Sequence, residues 1–228
     1  TDATASLKNP KKILDNNLNS TKYLVQSIKK LKKKLIFISS TSVYGPQSNT
    51  VFEDKKDLIL RPQSPYAECK IKEEKYIFDV FKSVKRKNFI ILRFGTIYGS
   101  SQGMRFHTAV NKFCWQAVFN EPITVWKDAL KQYRPYLGIN DACESIHHII
   151  NKELFNDSVY NVLSQNKTVE DILKIIKKKI KSIDVVFVKS KILNQQGYLV
   201  NMSKFKKTGF VTKDNIEKLI FEEIRLLS

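Results

Sequence analysis

Three residues in the first third of the chain have the types and spacing of proton-transfer chemistry: Ser40, Tyr66 and Lys70. Tyr66 and Lys70 stand four apart in Ser64-Pro65-Tyr66-Ala67-Glu68-Cys69-Lys70, so on a helix they share one face. An ammonium beside a phenol favours the phenolate and lowers a pKa that is otherwise about 10. Tyr66 is thereby a candidate general base near neutral pH. Ser40 follows the apolar run Leu35-Ile36-Phe37-Ile38-Ser39 and falls at a strand's carboxyl edge, where open α/β sheets bind ligands. A Tyr-x-x-x-Lys pair alone is usually a helix-surface pair. With Ser-Ser-Thr-Ser-Val-Tyr-Gly at 39–45 upstream, chance is a poor explanation.

The elements that must position these residues are read from hydrophobic periodicity. Residues 9–34 carry Ile13, Leu18, Leu24, Ile28 and Leu31 near helical spacing, which predicts an amphipathic helix. Residues 35–39 and 89–93 are short continuous apolar runs, the pattern of strands buried on both faces. Between them lie a loop of about twenty residues, long enough to suspect function, and a helix over 65–84 with Pro65 in its first turn. Helix, strand, helix, strand predicts right-handed crossovers and a parallel α/β sheet. Beyond Gly99 the expected order is a loop, a helix over 106–119, a strand at 123–126 and a polar loop to Gly138. A helix over 141–153 capped by Asn140 follows, then a strand at 159–163 and a capping box at Thr168-Val-Glu-Asp171 opening a helix to 182. A strand at 184–188 and a helix over 214–227 close the chain. Two lobes that interleave along the chain fit this order better than two beads on a string.

Composition bounds the function classes. The chain has 228 residues, 42% apolar and 27% charged, which excludes a disordered tail or a collagen-like fibre. No apolar run approaches the ~20 residues of a membrane span, and no signal-peptide core is present. Three widely spaced cysteines, Cys69, Cys114 and Cys143, fit neither a disulfide framework nor a zinc cage. The expectation is a cytoplasmic protein with no membrane partner. The net charge of +18 invites a nucleic-acid reading. The lysines are scattered on polar helix faces among many Asn and Ile, however, so compositional bias is the better explanation and no nucleic acid is expected.

At this point the chain resembles a known family, the extended short-chain dehydrogenases/reductases, in the branch of nucleotide-sugar epimerases and dehydratases. The residues that carry the resemblance are Phe37-Ile-Ser-Ser-Thr-Ser-Val-Tyr-Gly45, Pro62-Gln-Ser-Pro-Tyr-Ala-Glu-Cys-Lys70, Leu92-Arg-Phe-Gly-Thr-Ile-Tyr-Gly99, and Gln132-Tyr-Arg-Pro-Tyr136 ahead of Asp141. They occur in the family's order and spacing, nearly end to end. The resemblance implies an α/β fold: the C-terminal part of a Rossmann-like parallel sheet with helices on both faces, plus a smaller α/β substrate-binding lobe. Residues 1–99 would be the remaining part of the NAD(P)-binding domain. Residues 100–228 would be mainly the substrate lobe, with about 133–153 returning to the first domain.

The resemblance also implies roles. Ser40 would hydrogen-bond the reacting sugar hydroxyl or carbonyl, Tyr66 would move its proton, and Lys70 would hold the nicotinamide ribose of NAD, with NADP not excluded. Asn17 falls where the family has an asparagine beside the cofactor. Thr96 stands where an asparagine often touches substrate. Arg134 matches an arginine that clamps the diphosphate, a task suited to a fork of donors. Arg105 and His107 lie in a stretch that lines the nucleotide pocket, and Lys191 would be a second phosphate contact. The implied partners are a nucleotide-sugar substrate and a second copy of the chain in a homodimer.

Two departures shape the functional expectation. Thr41-Ser42 follow Ser40 where related 4,6-dehydratases carry Asp-Glu, and dehydration needs an acid and a base. No G-x-G-x-x-G or G-x-x-G-x-x-G occurs, and the first of seven glycines is Gly45. The phosphate-cradling turn is therefore expected upstream of residue 1, with roughly 80 residues missing by the ~30-residue size of a βαβ unit. The expected function is an NAD(P)-dependent epimerase that removes and returns a hydride through a keto-sugar. The alternatives are a reductase or dehydratase of the same family, or a non-catalytic remnant or basic interaction module. His147-His148 without a third ligand read as surface or packing residues, so no metal is expected. Trp115 and Trp126 read as core. Cys69 lies beside Lys70, yet nothing else marks it as a nucleophile.

Overall fold

The computed structural model describes residues 5–7, 9–55, 57–84, 87–188 and 197–228. The first half holds α1 (Pro10–Lys30), β1 (Leu35–Ser40), α2 (Pro65–Phe81), β2 (Phe89–Phe94) and β3 (Thr96–Tyr98). Then come α3 (Ala109–Val118), β4 (Ile123–Trp126), β5 (Tyr133–Gly138), α4 (Ile139–Lys152), β6 (Ser158–Val162) and β7 (Gln165–Thr168). The last elements are α5 (Val169–Lys179), β8 (Val185–Val188), α6 (Ser203–Lys206) and α7 (Ile216–Leu227). Three sheets result, in the orders β1-β2-β6, β3-β5-β7 and β4-β8.

The first sheet is parallel throughout. β1 runs beside β2 in the register Leu35↔Phe89 to Ser40↔Phe94, and β6 lies along the other side of β2. Every residue of central β2 is buried. Its alternate side chains feed two apolar clusters, because successive side chains of a strand point to opposite faces. Phe89 and Ile91 pack with Val25 of α1 and Ile77 and Phe81 of α2. Ile90 and Leu92 pack with Leu137, Ile149, Val162 and Phe205 on the other face. Each such fully buried Ile or Leu contributes about 1.5–3 kcal/mol of transfer free energy. A third cluster, including Val110, Phe113, Ile123, Ile172, Ile176 and Ile220, joins α3, α5 and α7. No helix among the described residues is long and apolar enough to cross a membrane.

The expected elements form, with informative differences. α1 stops at Lys30, and Lys32 turns the chain with a left-handed φ of 52°. The stretch read as a polar loop to Gly138 contains β5, which pairs with β3 on one side and β7 on the other. Asn140 does not cap α4. It lies inside the helix and donates to Asp214 Oδ1 at 3.0 Å, while Asp214 Oδ2 accepts from the Asp141 N–H at 2.8 Å. The cap thus comes from 73 residues further along the chain. The Thr168–Asp171 capping box forms as expected. Trp115 is not core. It is 36% exposed and stacks with Phe106 and Phe119 at the surface. His148 is a packing residue set edge-on against Phe205 and Phe210.

Candidate active site

Local rules bring Ser40 and Tyr66 together. Ser40 ends β1 in extended backbone, and its Oγ accepts from the Ser42 N–H at 3.2 Å. The chain then turns at Gly45, whose φ is +60° and where a Cβ would lie 1.7 Å from the Arg61 carbonyl oxygen. Only glycine fits so close an approach, and the Arg61 N–H donates to the Tyr44 carbonyl at 3.1 Å. The loop is thereby folded back so that α2 starts beside the end of β1. Ser64 caps α2 by accepting from the Ala67 N–H at 3.2 Å, and Pro65 takes the first turn. This places Tyr66 in that turn and Lys70 one turn on.

The Ser40 hydroxyl, its oxygen already engaged by Ser42, is left to donate, and its interaction with Tyr66 pulls the phenol's pKa down. Burial outweighs that pull, and Glu73 and Cys69 add to it, so the Tyr66 pKa lies above its ordinary value of 10.0. This differs from the expectation that Lys70 would depress it. The Lys70 ammonium donates to the Ile38 carbonyl at 3.1 Å and pairs with Glu73 at 3.1 Å. It also sits 4.6 Å from the Phe37 ring centroid and 5.9 Å from that of Tyr66. The Cys69 thiol is pushed up to about 11, first by burial and then by Glu73, so it is not an activated nucleophile.

A second layer braces these groups. Glu74, next to Glu73, accepts from Arg93 of β2 through both oxygens, at 2.9 and 2.6 Å. It also accepts from Ser39, the residue before Ser40. The Arg93 guanidinium lies 4.9 Å from the Tyr44 ring centroid. Tyr44 donates to Asn161 Oδ1, and Asn161 donates to Glu53 through its N–H at 3.1 Å and Nδ2 at 2.9 Å. β1, α2, β2 and β6 are therefore cross-tied directly beneath the site.

The other expected site residues divide. Asn17 lies on α1, half-buried, next to Leu18, whose backbone meets Cys69 of α2. Thr96 opens β3 opposite Tyr136. Arg134, on β5, sits over the Tyr198 ring at 5.5 Å, and Tyr198 has polar interactions with both Arg134 and Thr41. Arg134 is thus linked to the strand end that carries Ser40. Beside Tyr198 opens a cleft of about 420 Å³ lined by Gln47, Ser48, Asn49, Thr50 and Gln132 among others. Arg105 and His107 are exposed ahead of α3. No hydrogen bond or ion pair among the described residues ties either to Ser40, Tyr66 or Lys70. Lys191 lies outside the described residues.

Sequence reasoning missed Glu73, Glu74 and Tyr198. The signal for Glu74 is Arg93, a charge inside an apolar strand, which demands a buried carboxylate. Glu73 stands three residues after Lys70, at ion-pair spacing on a helix. Tyr198 carries no local signal.

The model of the NAD dependent epimerase/dehydratase family matches residues 1–162. The chain is 31% identical over 168 residues to a dTDP-D-glucose 4,6-dehydratase of Dictyostelium discoideum, covering 69% of this chain and 37% of that protein. It is 27% identical over 231 residues to a UDP-glucuronate 4-epimerase of Thermodesulfobacterium geofontis, covering 93% and 70%. Among solved structures, the UDP-glucuronic acid 4-epimerase of Bacillus cereus, in complex with UDP-glucuronic acid and NAD, superposes with a TM-score of 0.80. The identity is 25%, and the match covers 94% of this chain and 68% of that one. The chain spans little more than a third of the length of the first of these relatives. With a match that runs over more than half of its residues, the chain belongs to the NAD-dependent epimerase/dehydratase family.

Proposed function

We propose that the protein is an NAD-dependent nucleotide-sugar epimerase, in which Ser40, Tyr66 and Lys70 handle the proton. The observation that carries this reading is the convergence of Ser40 and Tyr66 at the carboxyl end of β1, with the Lys70 ammonium beside the ring. The complexes of relatives with NAD and a nucleotide-sugar support the choice of ligands. Epimerisation is favoured over dehydration because Thr41 and Ser42 offer hydroxyls where water elimination needs a carboxyl acid. Thr41 Oγ1 is itself engaged with the Phe94 carbonyl at 3.3 Å.

The residues present fit the nicotinamide end of NAD. Ser42 Oγ is buried with no hydrogen-bond partner among the described residues, and Lys70 is tied to the same strand through the Ile38 carbonyl. Lys70 would hold the ribose, and NAD when bound supplies the hydride acceptor and donor. Tyr66 and Ser40 hold and pass the hydroxyl proton of the sugar. Arg134, with Thr96, Arg105, His107 and Lys191, would receive the nucleotide-sugar. The 228 residues contain no glycine-rich phosphate turn, and they span 37% of the length of the dTDP-D-glucose 4,6-dehydratase relative.

The test is single-turnover hydride transfer to NAD with UDP- and dTDP-sugars. Tyr66→Phe removes only a hydroxyl, so sugar binding should survive while the chemical step slows by roughly 100- to 10,000-fold. Ser40→Ala should be milder, because water can partly replace its hydroxyl. Wild-type rates in Tyr66→Phe would refute the reading. A product lacking the elements of water would replace the epimerase by a dehydratase.

A further inference from the structure

Lys70 does not face Tyr66 as a lone cation. Tyr66, Lys70 and Glu73 occupy positions i, i+4 and i+7 of α2, one continuous face. The Glu73 side chain is only 3% exposed, and its carboxylate lies 3.1 Å from the Lys70 ammonium. Its other oxygen accepts from Thr21 Oγ1 of α1, so the carboxylate is held from two helices. A buried carboxylate needs such partners to stay ionised. The ammonium is correspondingly fixed, ion-paired with Glu73 and donating to the Ile38 carbonyl while stacked on Phe37. The field that Tyr66 experiences is that of an ion pair.

We propose that Glu73 is a positioning residue of this site: held from α1 by Thr21, it tethers the Lys70 ammonium and offsets its charge beside Tyr66. The inference deepens the epimerase reading, since the positioned group matters to catalysis only if Tyr66 moves the proton. The groups around this corner are few. α2 presents Lys70, Glu73 and Cys69, with Lys72 beside Cys69. α1 presents Thr21 and the Leu18 backbone. β1 presents Ser40 and the Ile38 carbonyl. The neighbouring Glu74 and Arg93 neutralise one another. Among these, Glu73 is the carboxylate that raises the Tyr66 pKa and Ser40 the group that lowers it.

The test is an NMR titration of the whole chain labelled with ¹³C at the tyrosine ring, with the Tyr66 resonance assigned by its loss in Tyr66→Phe. Wild-type Tyr66 should titrate above the ordinary 10.0. Glu73→Gln keeps the shape and an acceptor for Thr21 but removes the charge. It should lower that titration, because the coulombic push of the carboxylate on the phenol is gone. Glu73→Asp keeps the charge and should restore the wild-type value. An unmoved titration in Glu73→Gln overturns the proposal. Should circular dichroism show that Glu73→Gln does not fold, a wild-type Tyr66 titrating below 10 would overturn it by itself. Undiminished hydride transfer in Tyr66→Phe would count against the epimerase reading while the titration still decided the role of Glu73.

Discussion

At the scale of single residues, the site is a pair of adjacent carboxylates doing different work. Glu73 faces the helix surface that carries Tyr66 and Lys70, and Glu74 faces the sheet. Glu74 and Arg93 are 5% and 6% exposed, so neither charge has water to fall back on. Their bidentate contact, with Ser39 completing the shell, makes the burial tolerable. Glu74→Gln should destabilise the fold by about 3–5 kcal/mol, because an unpaired buried guanidinium remains. Replacing both partners by apolar residues should cost far less. Urea denaturation of the single and double variants checks this, and equal losses in the two would refute it. The same residues mark what was legible. The Tyr66–Lys70 pair could be read because both lie on one helix face four positions apart. The Thr21–Glu73 contact joins residues 52 apart, and Tyr198 meets Thr41 from far along the chain. Such contacts exist only after the helices and loops have docked.

At the scale of elements, the strands that were legible are the apolar ones. β1 and β2 open with continuous apolar runs, residues 35–38 and 89–92, and all of central β2 is buried because both faces of the sheet are covered there. β5 escaped notice because Tyr133-Arg134-Pro135-Tyr136-Leu137-Gly138 contains a proline, a glycine and a charge, each a signal against a strand. Its neighbour β7, Gln165-Asn166-Lys167-Thr168, has no apolar residue. The two pair antiparallel because the sheet assembles around them, with Pro135 opposite Asn166. α7 shows the converse, an expected amphipathic helix with an unexpected charge on its inner face. Glu223 is fully buried in the third apolar cluster, and neither carboxylate oxygen has a hydrogen-bond partner among the described residues. Burial pushes its pKa from 4.5 up to about 7. The folded chain therefore keeps a proton that the unfolded chain releases. The associated stability is fully present below about 4.5 and is lost as pH rises through about 7. Glu223→Met fills the space without a charge. It should stabilise the fold by up to about 3 kcal/mol above pH 7, with the gain shrinking towards pH 4. A gain independent of pH, measured by urea denaturation across that range, would assign the effect to packing alone.

At the scale of the whole molecule, two opposed properties meet at β1. Its inner edge pairs with β2, and no strand among the described residues lies along its outer edge. Ile38 on that strand remains 36% exposed. An open parallel edge with an apolar side chain is a template for pairing with another chain. The net charge of +18 works against this, because like-charged copies repel one another before their edges meet. Repulsion of this kind is screened by salt, with a Debye length of about 30 Å at 0.01 M falling to about 3 Å at 1 M, whereas hydrogen bonding along an edge is not. The 228-residue chain should therefore stay dispersed in dilute buffer and associate as sodium chloride is raised. Dye-accessible apolar surface should be present before association begins. Ile38→Lys places a like charge on the edge itself and should move the onset of association to higher salt. Light scattering over a salt series, with a fluorescent apolar dye as the second readout, follows both effects. A monomer that persists to 1 M salt with a sharp, reversible thermal transition would show that the β1 edge is already protected.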